Sequence, residues 1–165
     1  MSTADAVSRE ADWLNTFGDG LPALPAQAGG PWQVVQAYWP GARLAGNKTG
    51  IYVLRTKLTD PRVGNLRIRP SYPFSLKLVW PVRTSTAPLA ETEQQNFDNA
   101  IDLLIQRIRG PVGDKTHGGR FLSVGEVPRE PAVEVTFTDP EVSIPADKAL
   151  RATVTYSADD FEIND

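Results

Sequence analysis

The chain has 165 residues, of which 17 are lysine or arginine and 20 are aspartate or glutamate, so its net charge at pH 7 is −3. This balance gives no general electrostatic attraction to nucleic acid or to an anionic membrane surface. The sequence has no cysteine, which excludes a disulfide framework, a thiolate metal site and a cysteine nucleophile, and its single histidine, His117, leaves little for zinc chemistry. The length is that of one domain, and we expect residues 1–165 to fold as a single unit.

The first predicted element is a helix over residues 3–17. Val7, Ala11 and Leu14 share one face at helical spacing, and Thr3 can cap the start. Acidic and basic residues interrupt every apolar run in this region, so the pattern does not predict a signal peptide. No stretch of the chain approaches the ~18 consecutive apolar residues that span a bilayer, and we therefore expect no membrane partner.

Three strands are predicted next. Residues 32–39 carry apolar side chains on both faces, which places Trp32 and Trp39 on opposite sides of one strand and indicates that at least one of them faces a partner or a second layer. Residues 51–58 form the second predicted strand. Residues 74–82 show the clearest alternation in the chain, so one face of that strand is expected to meet the core.

The longest periodic segment predicts a helix over residues 89–110. Acidic residues are concentrated in its first half and arginines lie in its last turn, as the helix dipole favours, and Gly110 followed by Pro111 is a stop signal. Five apolar residues recur at helical spacing and form a single stripe: Phe97, Ile101, Leu104, Ile105 and Ile108. A stripe on one face only must be buried, and we expect a sheet to cover it.

The glycine-rich segment 110–120 is predicted to be a flexible connection. Lys115 and Thr116 follow glycines, but Asp114 stands where a phosphate-binding loop needs glycine, and a helix precedes the segment instead of following it. Nucleotide binding is therefore not predicted. His117 has no catalytic partner in any local pattern, so we expect it to be solvated and available for contact.

Three further strands are predicted, over residues 121–127, 133–138 and 150–156. Turn residues between the last two make an antiparallel pair the economical interpretation. The order of elements is helix, strands, long helix, strands. We therefore predict an α+β fold, in which a mostly antiparallel sheet is packed against an N-terminal helix and one long central helix.

Charge is unevenly distributed along the chain. Basic residues cluster between residues 55 and 77 near aromatic ones, a composition that can bind single-stranded nucleic acid or an acidic protein surface, although no motif for sequence-specific recognition is present. Residues 157–165 carry four carboxylates and no base, which predicts a solvated or partner-seeking tail. The candidate contact residues are Trp32, Trp39, Arg55, Lys57, Arg67, Arg69, Lys115, His117, Asp159, Asp160 and Glu162.

No grouping of acid, base, nucleophile and oxyanion donor can be assembled from motifs, so we expect no catalytic residue, cofactor or metal and no enzymatic activity. The closing segment Ala149–Ile163 resembles the last strand of tail terminator proteins from long-tailed, non-contractile bacteriophages of actinobacteria. The order of elements resembles the small α+β fold of that family over nearly the whole chain.

The resemblance implies structural work in a virion, at the junction of tail and neck, after assembly in the host cytoplasm. Six copies would form a homohexameric ring on the tail tube protein. The ring would end tail polymerisation and present a docking face to the head–tail connector or stopper protein. Two alternatives stay open at this point: another neck or head–tail connector protein, or a nucleic-acid-binding module that uses the basic strands at 55–77.

Overall fold

The computed structural model describes residues 3–17, 21–40, 48–55, 67–68, 71–82, 87–110, 116–124, 133–159 and 163–164. Within these ranges the α-helices are α1 (Thr3–Asn15), α2 (Ala87–Arg109) and α3 (Pro140–Asp147). The strands are β1 (Val34–Ala37), β2 (Gly50–Arg55), β3 (Arg67–Ile68), β4 (Ser71–Pro81), β5 (Ser123–Val124), β6 (Val133–Phe137), β7 (Ala149–Asp159) and β8 (Ile163–Asn164).

One mixed sheet organises the fold. Its strand order is β1-β2-β4-β7-β5, and β6 also pairs with β7. Only β1 and β2 are parallel; every other pair in this sheet is antiparallel, including the predicted pairing of β6 with β7. The predicted α+β class with a mostly antiparallel sheet is confirmed.

The central helix α2 is present where its apolar period predicted it. Phe97, Ile101, Leu104 and Ile108 are each at most 3% exposed. Ile105, which the stripe also placed in the core, is only half-buried at its margin. The core-facing surface of α2 is therefore turned slightly away from the predicted stripe.

The helix α3 was not predicted from the sequence. Asp139 and Pro140 were interpreted as a break between two strands, yet the Asp139 side chain accepts a hydrogen bond from the backbone N–H of Glu141 at 2.9 Å and caps the helix, with Pro140 in its first turn. The helix ends at Lys148, which adopts the left-handed conformation. The same Asp-Pro pair that can open a turn thus opens a helix here.

The sheet has two different faces. The face toward α1 and α2 carries the main core, with the alternate residues of β4 and β7 buried in it, as predicted for residues 74–82. On the opposite face, Tyr52, Val79 and Ala149 form a smaller buried cluster against which Trp39 packs.

The strands β3 and β8 form a separate two-stranded ribbon. Arg67 pairs with Asn164 and Ile68 with Ile163. A strand from the basic region thereby pairs, within one chain, with a strand from the acidic tail.

Candidate functional site

An apolar groove lies between α2 and β6 at the edge of the sheet. It has a volume of about 650 Å³. Phe97, Ile101 and Ile105 line it from the helix, and Val135 and Phe137 line it from the strand. Two packed elements that leave such a gap offer a concave apolar surface to another molecule.

The groove is open because the apolar face of β6 is not fully covered by other parts of the chain that the structure describes. The register places Val135 and Phe137 opposite Val154 and Ala152, on the face that elsewhere forms the core. The Phe137 ring meets Phe97 edge-on at 6.4 Å, yet 53% of Phe137 remains exposed. Solvent therefore reaches a side chain on the apolar face of the sheet.

Charged groups border the groove. Asp98 and Asp102 line the groove from the outer side of α2, both exposed, and Arg151 lines it from β7. Glu134 is exposed on the other face of β6. The rim is thus more acidic than basic.

The sequence signal for this groove was incomplete. The alternation of residues 133–138 placed Val135 and Phe137 on one face of a strand, and the helical period placed Phe97 and Ile101 in a buried stripe. Neither pattern records how far one element covers another. The groove was therefore missed as a site, although its apolar residues from α2 were predicted to face inward.

A second cluster, of side chains that could transfer protons, is buried inside the fold. Glu10 of α1, His117 and Tyr156 of β7 are 0%, 0% and 4% exposed. His117 Nδ1 lies 2.9 Å from Glu10 Oε2, and the Tyr156 hydroxyl donates to Glu10 Oε1. The expectation that His117 is solvated and available for contact is wrong, because this network holds it in the interior.

The hydrogen-bond geometry fixes most of the protons in this cluster. His117 Nε2 lies 2.6 Å from the backbone oxygen of Ile108, which can only accept, so Nε2 carries a hydrogen. Nδ1 and Glu10 then share one proton. Burial, and next the charge and hydrogen bond of Glu10, hold the pKa of Tyr156 well above its ordinary value.

Aromatic and cationic groups close the cluster from the side of α1. The Trp13 ring stacks on His117 at 4.9 Å. The guanidinium of Arg107, fully buried, lies 4.5 Å from the centre of the Trp13 ring and donates to the Trp13 backbone oxygen. Burial lowers the pKa of Arg107, and the charge of Glu10 opposes that shift.

This buried cluster joins four parts of the chain. A carboxylate, an imidazole and a phenol are the groups of general acid–base chemistry. Here each of the three groups is at most 4% exposed. Their hydrogen bonds tie α1, the end of α2, the segment around residue 117 and β7 together.

Replacing Tyr156 with phenylalanine is expected to flatten the loss of stability at alkaline pH. Below pH about 10 the phenol is neutral in the folded and unfolded chain, so its contribution is complete. At higher pH the unfolded chain ionises first, because the folded pKa is raised, and the free energy of unfolding of the wild type falls. Urea midpoints measured from neutral to alkaline pH test this. Part of the slope should remain in Tyr156→Phe, since burial also raises the pKa of Tyr52.

The face of the sheet opposite the helices carries a shallow basic and aromatic surface. Trp39 meets Tyr52 edge-on at 4.9 Å, and the guanidinium of Arg151 lies 5.9 Å from the centre of the Trp39 ring. On the same face, Lys77 Nζ donates to the Thr153 hydroxyl at 3.2 Å. Trp39, Lys77 and Arg151 line a depression of about 320 Å³.

The predicted contact tryptophans separate as expected, but one of them is not a contact residue. Trp32 belongs to the main core and Trp39 to the cluster on the opposite face, so their placement on opposite faces is confirmed. Trp32 is 0% exposed and packs edge-on against Trp80 at 5.3 Å. Its inclusion among the interface candidates is wrong for this fold, because its surface is already covered within the chain.

The charged candidates are dispersed. Arg55 is exposed and lies 5.6 Å from the ring centre of Tyr38, Arg67 belongs to the β3–β8 ribbon, and Asp159 is half-buried at the end of β7. The remaining candidates lie outside the described residues: Lys57, Arg69, Lys115, Asp160 and Glu162. The described candidates do not meet at one place.

Comparison with protein-family models, with curated proteins and with solved structures found no match to this chain. Among the helices that the structure describes, none combines the length and the apolar character that crossing a bilayer requires. Within the same residues, no three His, Cys, Asp or Glu side chains are grouped so that they could hold a metal ion. Function must therefore be inferred from the surfaces of the chain.

Proposed function

We propose that this chain is a structural protein of a bacteriophage virion, a tail terminator that forms a ring on the end of the tail tube. In this role it ends tail polymerisation and provides the docking face for the head connector. The observation that carries the proposal is the open apolar groove between α2 and β6, in which the side chain of Phe137 is 53% exposed.

A groove of this kind suits an assembly protein. Subunits in a closed ring use two different surfaces, and each contact must bury apolar area on both sides. Phe137 is an aromatic side chain at the mouth of a pocket, the type of residue that dominates interface energetics. Glu10 and His117, which could perform acid–base chemistry, lie in the interior and not on this surface.

The test is deletion of the gene from a phage that carries it, with tail lengths measured by electron microscopy. Without the protein, we expect tails of uncontrolled length that do not join heads, and the wild-type gene supplied in trans should restore uniform tails. Phe137→Glu should fail to restore them, because it places a charge at the mouth of the groove. Phe17→Glu is the matched control: Phe17 is also exposed, at 67%, and does not line the groove.

Each outcome separates the candidates. Tails of uniform, normal length in the absence of the protein would reject the terminator assignment. If such tails also lacked heads, the protein would instead be a neck or connector component. Full rescue by Phe137→Glu would mean that the groove is not required for this role.

A nucleic-acid-binding module remains the second candidate, on a different surface. The observation that favours it is the open sheet face, where Trp39 lies beside Arg151 and Lys77. Aromatic and cationic groups on an open sheet can stack bases and neutralise phosphates. Binding of a single-stranded oligonucleotide that weakens steeply with salt, and that Trp39→Ala and Lys77→Ala abolish, would support this candidate.

A further inference from the structure

We infer that the outer edge of β6 and the adjoining groove bind an extended segment of another protein of the assembly, in which apolar and basic side chains alternate. The identity of that assembly rests on the proposed function. The surface itself is defined by the backbone of β6, the apolar lining of the groove and the charges of the described residues.

The backbone of β6 offers hydrogen bonds at its outer edge. The Thr138 N–H donates to the Arg151 backbone oxygen at 3.0 Å, on the side of β7. Backbone groups of an antiparallel strand alternate in direction, so those of Val135 and Phe137 point away from β7. No strand within the described ranges pairs with this outer edge. An added strand could therefore form backbone hydrogen bonds with the outer edge of β6.

At the opposite edge of the sheet, one backbone acceptor is already used within the chain. The Asn15 side-chain amide, from the end of α1, donates to the Val35 backbone oxygen of β1 at 3.0 Å. A side chain of the same molecule thereby occupies an acceptor on the β1 edge. Natural sheets protect edges by such devices, and within the described ranges no strand pairs with the outer edge of β6.

The groove specifies apolar side chains on one face of the incoming strand. Successive side chains of a strand point to opposite faces. Those on the helix side would lie over Phe97, Ile105 and Phe137, where apolar contact removes exposed surface from water.

The charges around the groove favour basic residues at the alternate positions of the incoming strand. Long basic side chains could also reach the acidic residues that border the groove. Asp98 and Asp102 border the groove from α2, and Glu134 is exposed on the other face of β6. An acidic segment would place like charges side by side, whereas lysine or arginine would be attracted on both faces.

The test uses the purified full chain and a short labelled peptide of alternating valine and lysine, with binding measured by fluorescence anisotropy at low and high salt. We expect binding that weakens with salt, and no binding of the matched valine–glutamate peptide. Asp102→Lys should weaken binding about fivefold or more, since it reverses a rim charge. Glu91→Lys is the control: it makes the same reversal at an exposed position of α2 that does not line the groove, about 16 Å along the helix from Asp102.

A second variant removes a backbone donor from the outer edge of β6, together with a side chain that lines the groove. Val135→Pro removes an outward N–H without removing a bond of the β6–β7 ladder. We expect it to abolish peptide binding while the chain keeps its circular dichroism spectrum. If Val135→Pro does not fold, the Asp102→Lys and Glu91→Lys comparison decides alone.

Four results of the binding assay would overturn the inference: no binding of the valine–lysine peptide, equal binding of both peptides, equal effects of Asp102→Lys and Glu91→Lys, or full binding by folded Val135→Pro. A self-associated chain in sedimentation that Val135→Pro disperses would assign the edge to a second copy and also overturn it. Peptide binding together with normal tails in the deletion phage would leave this inference standing and reject the terminator role. Aberrant tails without peptide binding would do the reverse.

Discussion

Replacing Glu10 with alanine is expected to lower the free energy of unfolding by about 3–5 kcal/mol, the range for removing one partner of a buried hydrogen-bonded pair. Glu10 accepts a hydrogen bond from the Tyr156 hydroxyl and lies 2.9 Å from His117 Nδ1, and all three side chains are buried. Alanine would leave an imidazole and a phenol without that partner. Urea denaturation measures the effect, and the melting temperature should fall by roughly 10 °C.

Two variants separate hydrogen bonding from charge. In Glu10→Gln, the amide oxygen can still accept from Tyr156 and the amide N–H can donate to His117 Nδ1, while His117 Nε2–H continues to donate to Ile108. We expect this variant to be much closer to wild type than Glu10→Ala. Asp12→Ala, on the same helix, removes a surface pair with Arg120 and should cost at most about 1 kcal/mol. Equal stability of Glu10→Ala and Asp12→Ala would contradict the buried network.

The sequence predicted the elements whose signals are local. The apolar period located α2, and alternation located β4, β6 and β7 within a few residues of their observed ends. The pairing of β6 with β7 followed from their nearness in the chain. The helix α3 was lost because Asp139 and Pro140 serve equally well in a turn and at a helix start, and only the cap to Glu141 distinguishes the two.

The buried cluster could not be predicted from spacing, since Glu10 and His117 are separated by 107 positions. A signal was nevertheless present in each helix. Glu10 falls four residues after Ala6 and three before Trp13, within the apolar face of α1. Arg107 likewise falls three residues after Leu104, within the apolar face of α2. A charged residue at a core position of a helix predicts a buried partner, though not which one.

The groove illustrates the other limit of the sequence. Hydrophobic periodicity shows which side of an element avoids water, but not whether a neighbour covers that side completely. Leu104 and Ile105 are adjacent in the same apolar stripe, yet one is fully buried and the other lines an open groove. The difference arises from the width of the sheet relative to α2, which depends on the whole fold.

That difference leads to the second large expected effect. Leu104→Asp should prevent folding or lower the free energy of unfolding by several kcal/mol, because it places an unpaired carboxylate at a position with no exposed surface. A domain of ordinary stability has about 5–15 kcal/mol in total, so the variant is expected to be largely unfolded or to melt far below wild type. Circular dichroism melting measures this directly.

Ile105→Asp is the matched comparison, with the same new side chain one position along α2. Its carboxylate can reach the water of the groove, so we expect a clearly smaller loss of stability than for Leu104→Asp. Because Ile105 lines the groove, the folded Ile105→Asp protein should also lose the valine–lysine peptide. Equal destabilisation by the two substitutions would mean that α2 is rotated from the position described. A stable Ile105→Asp protein that still binds the peptide would place the binding strand elsewhere on the sheet.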